Sequence, residues 1–587
     1  MTRRWCRRAG GAAFVTVLLI LGLPAVATAG AAPTSHAGHG GGVRPAPVDP
    51  SGTRAARREP NAPRPASRPN VPNELLAKTF KDNDNVPEPA VSAQCQDYLG
   101  QPNPYGPVTP NVDMIHDDTV VQAGSQTGCR SAQNETTIAT NPFNPKNLVA
   151  GTNDYRIFNT REGRNDGSGW AYTTFDGGKT WLNVQLPHLT FQTGATGALS
   201  DMDSAGDPAI AFGPHNTVYY ANIAFSRLNG GSAITLSVSH NGGRTFGDPT
   251  IVALDGVDAN GNPLDTAIFN DKEWVGADPF SGTVYVSWTR FSDTESPIMV
   301  RRSTNFGATF APVVRVAPSV DNFQGGITGF DQGSIPQVAN DGTLYIAYEA
   351  SVCDTLACDS PNDHDAVVVA TSKNHGKTFK NTQVSLDFDF PPNEDVGSST
   401  LTGLNFRVNS FPQMTYDRLT RKLWITWADD RNGTYNGFTS VKTNGDNFVV
   451  SSSDGKHWSA PTTVGTAQDE VYPAIAAVAG RVAVTSYTRH WDPTGINLDY
   501  AMWTGWGSSV GSAPIQRVTT VSENPNVQFV GIGFVSGNVL QGEFIGDYTA
   551  VAMGLDFKVH PCWTDFRGNP ALNTPNQDAY TQSLFAF

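Results

Sequence analysis

The chain lacks most of the signals by which common enzyme classes are read from sequence. It holds no His-Glu-x-x-His pair and no phosphate-binding Gly-x-x-x-x-Gly-Lys loop, so zinc-protease and nucleotide chemistry have no motif to rest on. Beyond the first 29 residues no run approaches the roughly 18 uninterrupted apolar residues of a membrane-spanning helix, and no long segment repeats with a helical 3.6-residue period. Basic charge is scarce: 40 Lys and Arg face 54 Asp and Glu, for a net charge of −14. Residues 1–75 hold ten Arg and three acids, net +7, so the rest of the chain carries −21. Such a surface repels phosphate backbones, which excludes nucleic acid as a partner and leaves cationic groups or metal ions as better matches.

Cysteine is also sparse, and no pair has zinc-finger spacing. Of the six, Cys6 lies in the apolar leader, leaving Cys95, Cys129, Cys353, Cys358 and Cys562. Cys353 and Cys358 are close enough to close a small disulfide loop, Cys95 and Cys129 are a second candidate pair, and Cys562 is the odd one.

What is present begins with Arg3, Arg4, Arg7 and Arg8, an apolar run from Ala12 to Leu23, and the small-residue site Ala27-Thr28-Ala29. This is the pattern of a secretory signal peptide over 1–29, which predicts a secreted, extracellular protein with no transmembrane anchor. Residues 30–75, rich in Pro, Ala, Gly and Arg, cannot bury enough apolar surface to offset ordering entropy and read as a disordered tether. A lead-in segment, 76–133, then precedes the folded region 134–587.

That region is repetitive. Thr174-Phe-Asp176-Gly-Gly178-Lys-Thr180-Trp181 recurs as Ser239-His-Asn241-Gly-Gly243-Arg-Thr245-Phe246, again from Ser303 to Phe310 and from Ser372 to Phe379, and one residue shorter from Ser452 to Trp458. Asp or Asn accepts turn amides, Gly tolerates positive φ, and the aromatic residue packs back beneath the hairpin. A strand signal occurs seven times, as in Glu135-Thr-Thr-Ile-Ala, Asp207-Pro-Ala-Ile-Ala, Glu273-Trp-Val-Gly-Ala and Tyr472-Pro-Ala-Ile-Ala, each followed by a β-branched and aromatic strand such as Thr283-Val-Tyr-Val-Ser-Trp288. Seven units of about 65 residues, none able to bury its own faces, predict an all-β, seven-bladed β-propeller. A six-bladed ring with one repeat inserted is the alternative.

The five turn copies resemble the Asp-box, or BNR, repeat of the sialidase superfamily, whose members are propellers with the box between a blade's two outer strands. The resemblance implies a glycan-directed protein, with an exo-acting glycoside hydrolase as the enzymatic reading and a non-catalytic glycan- or protein-binding propeller as the alternative. Sialidases use a tyrosine nucleophile activated by a glutamate, arginines that grip the substrate carboxylate, and an aspartate acid/base. Tyr548, Glu470 and Arg489 resemble the tyrosine, the glutamate and one of the arginines, and Asp547 completes the catalytic candidates. The family's Phe/Tyr-Arg-Ile-Pro motif is missing from the first strand, which reads Glu135-Thr-Thr-Ile-Ala.

Blade geometry adds further candidates. Residues just before a first strand and just after a second share the propeller's upper face, which predicts that Glu135, Asp207, Asp271, Glu470 and Asp547 cluster around the axis with Arg156, Arg290, Arg431, Arg489 and Arg567. Carboxylates packed so closely must shift their protonation or enclose a cation, while arginines there would grip an anionic ligand. The other reading of each Asp-x-Arg pair is mutual neutralisation at a strand end. No cofactor is required by these residues. The loop Asp258, Asn260, Asn262, Asp265 places oxygen ligands at alternate positions and is a calcium candidate. The expected partner is an extracellular glycan or glycoconjugate, and the expected state a monomer.

Overall fold

The computed structural model describes residues 110–115, 132–161, 164–264, 268–292, 295–317, 322–323, 326–353, 364–388, 390–393, 398–436, 439–525, 544–567 and 577–586. The leader and the tether lie outside these residues, as do Cys95, Cys129 and Cys358. Among the described residues helix is confined to three short 3-10 turns, and the strands form small antiparallel sheets arranged as a seven-bladed β-propeller. In the first blade, Gln133–Thr140, Leu148–Asn159, Arg164–Thr174 and Leu182–Gln185 pair in chain order. The first strands of the next five blades are Ser204–Phe212, Phe269–Ala277, Gly326–Val338, Gln413–Asp417 and Glu470–Val478.

The seventh blade joins the two ends of the ring. Its strands Ala550–Met553, Lys558–Asp565 and Asp578–Thr581 are completed by Val112–Asp113, which pairs with the last of them. The lead-in segment thus supplies an outer strand, which hydrogen-bonds the edge that Asp578–Thr581 would otherwise leave open.

The five turn motifs occupy the third-to-fourth strand turns of blades one to five. In the first, Asp176 accepts from the amides of Lys179 and Thr180 at 2.9 and 3.1 Å, and Gly178 N donates to Thr174 Oγ1 at 3.1 Å. Asn241, Asn305 and Asn374 each accept from the threonine amide four residues on at 3.0 Å. Gly178, Gly243, Gly307 and Gly376 all have φ between 78 and 91°, the left-handed region that the turn requires. Trp181, Phe246 and Trp458 are buried beneath their turns. Burial raises the Asp176 pKa, but hydrogen bonds from Thr180 and Thr174 outweigh it and hold the carboxyl at about 2. Asp176→Ala should therefore cost on the order of 1 kcal/mol of stability at pH 7. An unchanged denaturation midpoint would show that the turn forms without its carboxylate.

The core lies between blades rather than within them. Seven apolar clusters each draw on at least two neighbouring blades, for example Trp424 and Val449 of the fifth with Ile475, Val484 and Trp503 of the sixth. The inner strands therefore bury most of both faces, which is why the first and second strands read as almost continuous apolar and small residues. Cys353 is disulfide-bonded, and Cys562 is a buried free thiol that burial pushes up to about 12, outside the reactive range.

Candidate functional site

Five of the seven first strands share a bulge near their upper ends. The pairing with the second strand slips between Asn134 and Thr137, Gly206 and Ala209, Asp271 and Trp274, Gln332 and Ile335, and Val471 and Ala474. At each slip one residue takes positive φ: Glu135 at 55°, Asp207 at 53°, Lys272 at 50°, Gly333 at 65° and Tyr472 at 53°, and Gly546 at 96° opens the seventh blade. A left-handed backbone at Glu, Asp, Lys or Tyr costs about 1–2 kcal/mol, so its recurrence in successive blades marks a built feature. Gly206 is needed for close approach, since a Cβ there would sit 2.6 Å from Asn153 Oδ1.

The bulges bring side chains from separate blades into one cluster on the axis. Lys272 Nζ lies 3.0 Å from Glu135 Oε1, 3.0 Å from Asp207 Oδ2 and 2.7 Å from Asp547 Oδ2, so it joins the third blade to the first, second and seventh. Its contact with Asp207 is one of charge and proximity, without an aligned hydrogen bond. Asn153 donates to Glu135 Oε2 at 2.9 Å and accepts from the Asp207 amide. Arg407 pairs with both oxygens of Asp547, through Nε at 2.6 Å and through its terminal nitrogen, and stacks 4.8 Å over Phe544. Every member is buried, with side-chain exposures of 0 to 7%.

Three predicted residues, Glu135, Asp207 and Asp547, thus come together, and the cation that the packing requires is Lys272. Sequence reasoning missed it by one register position. Aligning Glu273 with Asp207 hides the bulge, whereas aligning Val275 with Ile138 and Ile210 puts Lys272 beneath Glu135 and Asp207. Asp271, predicted with them, is fully buried one residue before the bulge. Glu273, one residue after it, is buried with neither carboxylate oxygen hydrogen-bonded. Burial, then the charge of Asp207, pushes its pKa well above the usual carboxylate range, which favours the protonated form.

Tyr548 and Glu470 are not partners. The Tyr548 hydroxyl donates to the Pro208 carbonyl at 3.2 Å and its ring meets Trp274 edge-on at 5.3 Å; burial and the carboxylates Glu135 and Asp207 hold the phenol well above its ordinary pKa. Glu470 accepts from Thr466 N at 3.0 Å, Thr466 Oγ1 at 2.8 Å and Thr488 Oγ1 at 2.8 Å. It belongs to a second acidic group with Asp430, Asp446 and Asp469. A Cβ on Gly465 would lie 2.4 Å from Asp446 Oδ1 and 2.6 Å from Glu470 Oε2, which sets these two carboxyls close together. Burial raises Glu470 to about 8, Asp430 to about 7 and Asp446 to about 6.

The predicted arginines are drawn away from the axis by local carboxylates. Arg156 pairs with Asp154 at 2.8 Å, Arg431 with Asp429 at 2.5 Å and Arg567 with Asp565 at 2.5 Å, each two residues back in the chain. Tyr172, Trp427 and Trp563 donate to the same three aspartates. The guanidinium groups extend outward, Arg156 to Asn183 in its blade's outer strand and Arg431 to the Leu386 carbonyl in the outer strand of the preceding blade. Arg290 pairs with Asp255 at 3.2 Å and Arg489 with Asp469 at 3.1 Å. These contacts fit mutual neutralisation at strand ends.

In the calcium-candidate loop, Asp258 Oδ1 accepts from the amides of Asn260 and Asn262 at 2.8 and 2.9 Å, and Asn262 Nδ2 turns its nitrogen to Asp258 Oδ2 at 3.0 Å. The side chains serve the turn itself, and Asp265 lies outside the described residues. Among the described residues no group of three or more His, Cys, Asp or Glu is arranged to hold a metal ion, and no helix is long and apolar enough to cross a membrane.

No protein-family model matches the chain, and no curated protein matches it. Among solved structures it is similar in fold to a protein of unknown function from Dyadobacter fermentans, at 10% identity and TM-score 0.40 over 82% of this chain and 98% of that one. It is also similar to the GH93 α-L-arabinofuranosidase of Fusarium graminearum with arabinobiose, at 11% identity and TM-score 0.38 over 80% and 97%. A third is Trypanosoma rangeli sialidase with the inhibitor DANA, at 13% identity and TM-score 0.34 over 68% and 56%. The structural neighbours of this propeller thus include glycoside hydrolases of two kinds, and the likeness is one of fold.

Proposed function

We propose that the protein is a secreted, glycan-directed propeller whose axial mouth takes the terminal sugar of an extracellular glycan and acts on it as an exo-acting glycoside hydrolase. The carrying observation is the convergence of Glu135, Asp207, Lys272 and Asp547 from four blades, with the buried carboxyl of Glu273 next in the chain to Lys272. Carboxylates accept from sugar hydroxyls, an ammonium donates to them, and glycosidic cleavage needs one carboxylate facing developing positive charge and one acid that keeps its proton. Asp547, paired with two cations, suits the first role, and Glu273 suits the second. Each of the three carboxylate oxygens lies within 3.0 Å of Nζ, so no two are farther apart than about 6 Å, twice that length.

One observation favours the binding-module reading instead: the Tyr548 hydroxyl is committed to Pro208 and Glu470 to its threonines, so the sialidase-like pair is not assembled. A panel of aryl glycosides that includes α-L-arabinofuranosides and sialosides, run beside a glycan array, separates the two. Hydrolysis that Asp547→Asn lowers by about a thousandfold, in a folded variant, supports catalysis at the axis. Glycan binding without turnover selects the module, and neither activity from wild-type protein sinks the glycan reading.

A further inference from the structure

Strand alternation puts two sets of turns on the face opposite the axial cluster: those joining first to second strands and those joining third to fourth. They bond to each other within blades, Gly177 N to Lys146 O at 3.0 Å and Gly507 N to Gly480 O at 2.9 Å, and across blades, Arg418 to Val338 O at 2.7 Å and Gly480 N to Asp417 at 2.6 Å. The result is a continuous lower surface with two unusual properties.

The first is apolar exposure. Among the described residues the five most exposed large hydrophobic side chains are Phe280 (68%), Leu419 (64%), Trp506 (60%), Phe143 (57%) and Leu555 (56%). All five sit on or at these turns, one each from five blades, and Phe143 meets Phe280 edge-on at 5.8 Å although their blades are not adjacent. The second is charge: the same turns carry eight Lys and Arg against six Asp, net +2, on a chain of net charge −14. Lys146, Lys373, Lys377 and Lys456 are among those exposed.

We infer that the lower face is a peripheral docking surface for an anionic lipid bilayer. Apolar tips spread across a face and interspersed with basic side chains match a planar interface, where the tips enter the headgroup region and the cations meet lipid phosphates. Trp506 is the residue type that settles at such a boundary. The acidic remainder of the surface is repelled by the same bilayer, so only the lower face can dock, and the axial mouth is then presented outward.

The test is co-sedimentation of the purified full chain with vesicles of phosphatidylcholine alone or with about a third phosphatidylglycerol, at low and high salt. Binding should require the anionic lipid and weaken with salt. Phe280→Ser/Leu419→Ser/Trp506→Ser and Lys373→Glu/Lys377→Glu, all at exposed positions, should each weaken it about tenfold or more while leaving the thermal midpoint in place. No binding, or equal binding to neutral vesicles, overturns the inference. So does a charge-only pattern, in which the triple serine variant binds like wild type and dextran sulfate displaces the protein, since that identifies a soluble polyanion as the ligand.

Discussion

Lys272→Met should destabilise the fold by about 3–5 kcal/mol at neutral pH, the range seen when one side of a buried charge cluster is removed. The side chain has the right length and loses only its ammonium, so Glu135, Asp207 and Asp547 are left facing one another at the axis with exposures of 5% or less. Arg407 still neutralises Asp547, which leaves Glu135 and Asp207 as the uncompensated pair. Two consequences distinguish this from simple loss of packing. Because protonation of the carboxylates relieves their repulsion, the gap between variant and wild type should narrow as the pH is lowered from 8 towards 5. Adding Glu135→Gln and Asp207→Asn to Lys272→Met should recover much of the loss. Denaturant midpoints across that pH range decide the matter, and a deficit under about 1 kcal/mol that ignores pH would mean the ammonium does not hold the ring together.

The same residue shows where sequence reading stops. The propeller is legible because its signals are local and repeated: seven first strands, and turns whose Gly178 and Asp176 are chosen for backbone geometry. The axial acids Glu135, Asp207 and Asp547 are legible too, because each stands at a fixed place relative to a strand. Lys272 was not, since a bulge changes which side chain faces the axis without changing the strand's apolar pattern. The arginines misled for the opposite reason. Their position after a second strand is regular, but an aspartate two residues earlier captures Arg156, Arg431 and Arg567 before they can turn inward. Arg407 has no periodic signal at all; it lies outside any strand, and only the tertiary fold brings it to Asp547 from 140 residues away.

Between pH 4.5 and 8 the protein should lose stability as the pH rises, and Glu470→Gln should flatten that loss. Glu470 has a folded pKa of about 8 against an ordinary 4.5, chiefly because burial disfavours its charged form. Its favourable contribution is therefore fully present below 4.5 and is lost as the pH rises through about 8, because the folded state holds a proton that the unfolded state has released. Asp430, at about 7, and Asp446, at about 6, act in the same direction over narrower windows. Each such group lowers the unfolding free energy by up to about 1.4 kcal/mol per pH unit inside its window. An uncharged glutamine at 470 removes the largest of these slopes, although the threonines that donate to Glu470 must then share one amide oxygen, so the variant starts lower at pH 5. The expected result is two curves that converge and then cross as the pH approaches 8. Parallel curves would show that Glu470 is ionised in the folded protein at neutral pH, and that its three hydrogen-bond donors outweigh the burial.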